Sequence, residues 1–290
     1  MSPFSHPLLT TALAAALSFP ALSFPAVSFP AVSIPVPPIP ELPVPVPPPV
    51  AEVRVPGLPE AIDQPSVPEG PGRAEVPADL LDLSNWKLTL PTGEQGKPKE
   101  VLSAQLARFS DEFFSVTPAR DAVVFTAEVG GVTTKNSKYP RSELREMRGD
   151  EKAAWSNPGG THTLETRQAI LAVPKVKPEV VAAQIHDGDD DVLQIRLEGE
   201  RLTVQSDDGE TETVLDPAYR LGTPYDLKIV AADGRIEVFH DGQRKAELRK
   251  SGTGWYFKVG AYVQSSPEKG DAEGTPGAVA VYSLKVTHTD

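Results

Sequence analysis

The sequence contains no cysteine. That excludes a disulfide framework and a thiolate metal site, but not export from the cell. It also lacks an apolar run long enough to cross a bilayer. The best, Leu8 to Leu17 (LLTTALAAAL), falls short of the roughly 20 residues a spanning helix needs. No Lys or Arg precedes that run, so it makes an imperfect but serviceable signal-peptide core. We expect an apolar leader over 1–30, a secreted protein and no membrane partner. Positive charge is scarce, with 28 Lys and Arg against 40 Asp and Glu. This argues against a general nucleic-acid binder. An acidic substrate is not excluded, because a local basic cluster overrides net charge within a Debye length of about 8 Å.

Proline, by contrast, is abundant and unevenly placed. Most of the 31 prolines precede Leu80. SFPA recurs from Ser18, Ser23 and Ser28, SIPV follows from Ser33, and Val36 to Val50 is almost alternately proline and aliphatic. Such density removes helix and ladder donors and leaves an extended spacer. Residues 31–79 are expected to form a disordered Pro-rich linker without chemistry of its own, and 80–290 a single folded domain.

Helical periodicity is missing from that domain. Short alternating runs replace it, among them Leu83–Leu90, Ala122–Val129, Arg141–Met147, His162–Leu171, Val180–His186 and Ala278–His288. A meander from Val192 turns at Glu198-Gly199, Asp208-Gly209, Asp233-Gly234 and Asp241-Gly242, the strongest short hairpin signals. Many short strands with regular turns predict an all-β sandwich or jelly roll with one concave face. The Leu83 strand is expected to stop at Pro91-Thr92-Gly93.

Three of these strands carry an unusual polar face. In Tyr256–Gln264 (YFKVGAYVQ), Phe257, Val259, Ala261 and Val263 point one way. Tyr256, Lys258, Gly260, Tyr262 and Gln264 point the other, a set suited to the floor of a polar groove. Arg141, Glu143 and Arg145 share a face of the second strand, where two arginines bracketing one glutamate can leave a guanidinium fork for a carboxylate. Gln184 and His186 share a face of the third. The Asp187–Asp191 run that follows has calcium-loop features but not the length or downstream glutamate of an EF-hand, so it reads as a mobile acidic loop. Residues Gln264–Gly277 form a long Gly- and Pro-containing loop, a candidate lid.

A retaining glycosidase needs two carboxyl groups about 5 Å apart. Glu143 and Glu146 are an odd number of residues apart and face opposite ways, so that chemistry is disfavoured. Arginine, glutamine, histidine and tyrosine together suit β-elimination from a uronic acid. Arg141 and Gln184 can neutralise the C6 carboxylate. His186 can take the C5 proton, and Tyr262 can give one to the leaving O4 or act as base beside a cation.

These three blocks, RSELRE (Arg141 to Glu146), QIH (Gln184 to His186) and YFKVGAYVQ, resemble the signature blocks of polysaccharide lyase family 7, the alginate lyases. LSNWKLTLPTG near Leu83 is similar to that family's usual start. Val259 and Val263 depart from its commonest third block, both on the core face. The resemblance implies a β-jelly roll, alginate as the acidic partner and no metal or other cofactor; we expect a monomer. It implies catalytic roles for Arg141, Gln184, His186 and Tyr262, and sugar binding by Glu143, Arg145, Tyr256, Lys258 and Gln264. Isoleucine between Gln and His tends in that family to accompany activity on guluronate-containing blocks, so Ile185 favours guluronate or mixed blocks. The alternatives are a non-catalytic carbohydrate-binding sandwich and a lyase for another polyuronate such as glucuronan.

Overall fold

Alternation in the sequence becomes two antiparallel sheets closed over one apolar core. The computed structural model describes residues 74–289. The apolar leader and the Pro-rich linker up to residue 73 lie outside them. Residues 74–79 pack onto the domain: Arg120 donates to the Ala74 carbonyl at 2.6 Å, and Pro77–Asp79 form a short 3-10 turn with Pro77 buried. None of the described helices is long and apolar enough to cross a membrane.

The strands run in order as β1 (Trp86–Glu94), β2 (Lys97–Val101), β3 (Phe114–Val116), β4 (Val123–Glu128), β5 (Arg141–Arg148), β6 (Glu151–Lys152), β7 (Thr161–Ala172) and β8 (Glu179–His186). They continue as β9 (Asp191–Glu198), β10 (Arg201–Ser206), β11 (Thr211–Asp216), β12 (Tyr225–Ala232), β13 (Arg235–His240), β14 (Gln243–Leu248), β15 (Tyr256–Val263) and β16 (Pro276–Thr289). One sheet has the order β11-β10-β9-β8-β15-β5-β1-β2, with β6 paired to β5. The other is β14-β13-β12-β7-β16-β4-β3. Leu88, Leu144, Ile185, Leu193, Phe257 and Val259 of the first sheet are fully buried, as are Phe125, Leu164, Ile229 and Val279 of the second.

Two features differ from the sequence reading. β1 does not stop before Pro91 but runs through it to Glu94. A register shift between Thr89 and Gly93 accommodates the missing amide donor. β2, β6, β11 and β14 were not anticipated. β2, β11 and β14 lie at the edges of the sheets, where one rim meets water and charged residues blur the alternation, and β6 is a two-residue strand paired only to β5.

The bulge that shapes the site lies in β15. Against β8 the register passes from Val259↔Ala183 to Tyr262↔Val181, so two residues oppose Ala182 alone. Gly260 takes φ 148° there, and a Cβ on it would lie 2.4 Å from the Ser142 carbonyl oxygen and 2.8 Å from Glu143 Cα. Gly260→Ala is expected to destabilise the domain by about 2–5 kcal/mol through backbone strain and overpacking. Thermal unfolding checks this, and an unchanged melting temperature would mean the bulge can rearrange at no cost.

Candidate active site

β15 lies between β8 and β5, and this places the three polar faces side by side. Lys258 stands opposite Arg145 on one flank and Gln184 on the other; Tyr262 stands opposite Arg141, and Tyr256 opposite His186. Phe257, Val259, Ala261 and Val263 are fully buried beneath them, as period-two geometry requires.

Glu143 is the centre of the set, although only 2% exposed. Its Oε2 meets Lys258 Nζ at 2.6 Å and Arg141 NH1 at 3.2 Å, and its Oε1 accepts from Gln184 Nε2 at 2.5 Å. Burial alone would raise its pKa. The two cations and the donated hydrogen bonds outweigh burial and hold the carboxyl below its usual range. Lys258 shows the reverse balance. Burial first, then the Arg141 charge, bring its ammonium down to about 8, and Glu143 opposes them. Arg145 takes no part in this cluster. It donates to the carbonyls of Glu146 at 2.8 Å and Ala153 at 3.3 Å, and its guanidinium lies 3.8 Å from the Tyr256 ring centroid. The bracket of two arginines around Glu143 expected from the sequence is thus replaced by one arginine and one lysine.

His186 is half-buried and stacks on Tyr256 with ring centroids 5.5 Å apart. Its Nδ1 lies 2.7 Å from the Asp187 carbonyl oxygen and 3.1 Å from the Tyr256 hydroxyl. A carbonyl only accepts, so Nδ1 carries the proton and neutral His186 keeps its lone pair on Nε2. Burial, then the Lys258 charge, push its pKa below 6.5, which favours the neutral ring. Burial likewise raises the Tyr256 phenol, opposed by Arg145.

Tyr262 carries the guanidinium of Arg141 3.7 Å from its ring centroid. Its hydroxyl meets Ser137 Oγ at 3.0 Å. A cavity of about 350 Å³ opens beside it, lined by Ser137, Lys138, Tyr139, Gln194, Arg196, Gln205 and Gln264 as well as Tyr262. Gln264 is buried, and its Nε2 finds no acceptor among the described residues.

The acidic loop and the long loop after β15 each carry a carboxylate that accepts several hydrogen bonds. Asp187 Oδ1 accepts from the amides of Asp189 and Asp190, both at 2.8 Å, closing the acidic loop on itself. In the long loop after β15, Asp271 is 3% exposed. It accepts from Ser265 Oγ and from the amides of Lys175, Val176 and Lys177 at 2.6–2.9 Å. Burial works against its carboxylate, but these donors bring its pKa down to about 2.

A family model described as alginate lyase matches residues 81–288. The chain belongs to the alginate lyases. Among solved structures it is similar to alginate lyase AlgAT5 from polysaccharide lyase family 7, at 48% identity and a TM-score of 0.71, over 74% of this chain and 99% of that one. It is similar also to an alginate lyase from Corynebacterium sp., at 42% identity and a TM-score of 0.73, over 75% of this chain and all of the other. A curated alginate lyase from Klebsiella pneumoniae is 28% identical over 75% of this chain and 94% of its own length. The two sheets are accordingly those of the family's β-jelly roll.

In this alginate lyase the structure brings Arg141, Glu143, Gln184, His186, Tyr256, Lys258 and Tyr262 onto one sheet face, with Arg145 at its margin and Gln264 at the strand's end. Glu146 lies away from them. It accepts from Trp155 Nε1 at 2.9 Å and the Phe257 amide at 2.8 Å, and meets His288 Nε2 at 2.7 Å. Sequence reasoning missed Ser137, Lys138 and Tyr139, which lie in a loop without periodicity. It also missed Gln194, Arg196 and Gln205, although their alternation along β9 and β10 marked a second polar face beside the first.

Proposed function

We propose that the chain cleaves alginate by β-elimination, with a preference for guluronate or mixed blocks. The observation that carries this is the convergence of Arg141, Gln184, His186 and Tyr262 around one buried, ionised Glu143. Glu143 spends its oxygens on Arg141, Lys258 and Gln184, so it orients these donors rather than reaching for sugar. The Gln184 amide turns its nitrogen to Glu143 because a carboxylate only accepts. Arg141 and the second N–H of Gln184 then face the substrate carboxylate and stabilise the charge that spreads onto it as C5 loses its proton. In guluronate the C5 proton lies on the ring face opposite the leaving O4. His186 Nε2 takes it, the C–H electrons form the C4=C5 double bond, the C4–O4 bond breaks, and Tyr262 protonates O4. In mannuronate both events occur on one face, and Tyr262 serves for both. Ile185 is fully buried between Phe257 and Leu193. It influences substrate choice only by setting where its neighbours Gln184 and His186 stand.

The test is ultraviolet absorbance with time on polyguluronate, polymannuronate and a glucuronan. Elimination creates a double bond conjugated to the carboxylate, which absorbs; hydrolysis does not. Faster growth of absorbance on polyguluronate supports the reading, and growth on another polymer alone would overturn the substrate while keeping the chemistry. The pH profile of kcat/KM is expected to be bell-shaped. Its acid limb lies below 6.5, where His186 gains a proton. Its alkaline limb lies near 8, where Lys258 loses one and leaves Glu143 under-compensated.

A further inference from the structure

We infer that Ser137 is a positioning residue for the Tyr262 hydroxyl, acting as a two-way hydrogen-bond rotor while that hydroxyl gives up and regains its proton. This rests on the elimination proposed above. Ser137 lies 125 residues from Tyr262 in the chain, yet its Oγ meets the phenol oxygen at 3.0 Å. The loop that carries it is tied down on both sides. The Ser137 amide donates to Thr134 O at 3.0 Å, and Thr133 O accepts from the Gly96 amide at 3.1 Å. Beyond Ser137, the Pro140 carbonyl accepts from the Val263 amide at 3.1 Å, one residue past Tyr262. The serine is thus presented to Tyr262 by backbone anchored to β1–β2 and to β15.

Counting protons around Ser137 Oγ shows what it does. A hydroxyl has one hydrogen and two acceptor positions. The Tyr139 amide donates into one position at 3.1 Å. The hydrogen lies toward the Tyr139 carbonyl, also at 3.1 Å, which can only accept. The remaining position is filled by the phenol O–H of Tyr262. In the resting site, then, Tyr262 is the donor and Ser137 the acceptor. To protonate O4 the phenol hydrogen first turns from Ser137 Oγ to O4 by rotation about the Tyr262 Cζ–Oη bond; once it is transferred, Tyr262 is a phenolate, which can only accept. Rotation about the Ser137 Cβ–Oγ bond then carries the hydroxyl hydrogen from the Tyr139 carbonyl to the phenolate. Arg141, over the Tyr262 ring, stabilises the same negative charge from the ring face. Ser137 therefore serves both protonation states of one phenol, and its contribution is largest when the charge is on oxygen, because hydrogen bonds to charged groups are the stronger ones.

The test compares Ser137→Ala and Ser137→Thr with wild type on polyguluronate, each with its melting temperature. Ser137→Ala is expected to lower kcat by about tenfold or more while KM stays within about twofold, and to raise the solvent deuterium isotope effect on kcat as proton transfer becomes more rate-limiting. Ser137→Thr, which keeps the rotor, restores both. Loss of loop structure alone would instead raise KM, because Lys138 and Tyr139 line the same cavity. Such a result, or failure of threonine to rescue, overturns the inference. Unsaturated product from wild type with an unchanged kcat in Ser137→Ala overturns the rotor alone; no such product from wild type overturns the elimination on which it rests.

Discussion

Tyr262→Phe is expected to lower kcat on alginate by about 10²–10⁴-fold, the range for loss of a positioned acid or base, while the fold and oligosaccharide binding survive. The substitution removes one oxygen and little else. The ring stays, and with it the Arg141 contact at 3.7 Å and the edge-to-face packing on Tyr139 at 6.5 Å between centroids. Ser137 loses a partner but keeps its two contacts to Tyr139. A melting temperature close to wild type, an unchanged oligosaccharide Kd and a collapsed rate together identify the hydroxyl as a reacting group. The loss should be larger on polymannuronate, where the phenol both takes and gives the proton, than on polyguluronate, where His186 takes it. Turnover at the wild-type rate would remove Tyr262 from the mechanism.

Glu143→Gln is expected to cost about 3–5 kcal/mol of stability, because removing one partner of a buried ionic cluster leaves its counter-charges uncompensated. Two cations, Lys258 and Arg141, would face a neutral amide that offers a single acceptor oxygen and no compensating charge. Activity should fall as well, since the guanidinium, the ammonium and the Gln184 amide all take their orientation from this carboxylate. The pH dependence gives the effect a signature. Folded Lys258 titrates at about 8 against an ordinary 10.5. Between those values the unfolded chain binds the extra proton, so this residue's contribution makes stability rise with pH there. Without Glu143 the folded-state value drops further, and the rise begins at lower pH. Denaturant unfolding of both proteins across neutral and alkaline pH measures this. Equal stabilities throughout would mean that Glu143 does not hold the cluster.

Much of this architecture was legible in the residues. Period-two alternation in Tyr256–Gln264, Arg141–Met147 and Gln184–His186 divided core from polar face correctly, because side-chain direction along a regular strand depends on parity; at the other end of β8 an irregularity at Ala182 breaks that parity and turns Val180 into the core. The same parity separated Glu143 from Glu146, and the structure keeps them apart in different networks. The three blocks and their order sufficed to name the family. Tertiary structure decided the neighbours. That β15 lies between β8 and β5, strands distant from it in sequence, follows from how two sheets close over one core, and alternation carries no record of it. Glu143 takes Lys258 rather than Arg145 as its second cation because it stands opposite Gly260, which has no side chain, and the Lys258 ammonium one pleat along comes within 2.6 Å, while Arg145 finds backbone carbonyls and the Tyr256 ring. Ser137 reaches Tyr262 from an aperiodic loop whose course is set by backbone hydrogen bonds to two other elements. Face is a local property of a strand, set by covalent geometry. Which charges and hydroxyls meet across strands depends on pairing at long sequence separation, and only the folded chain fixes that.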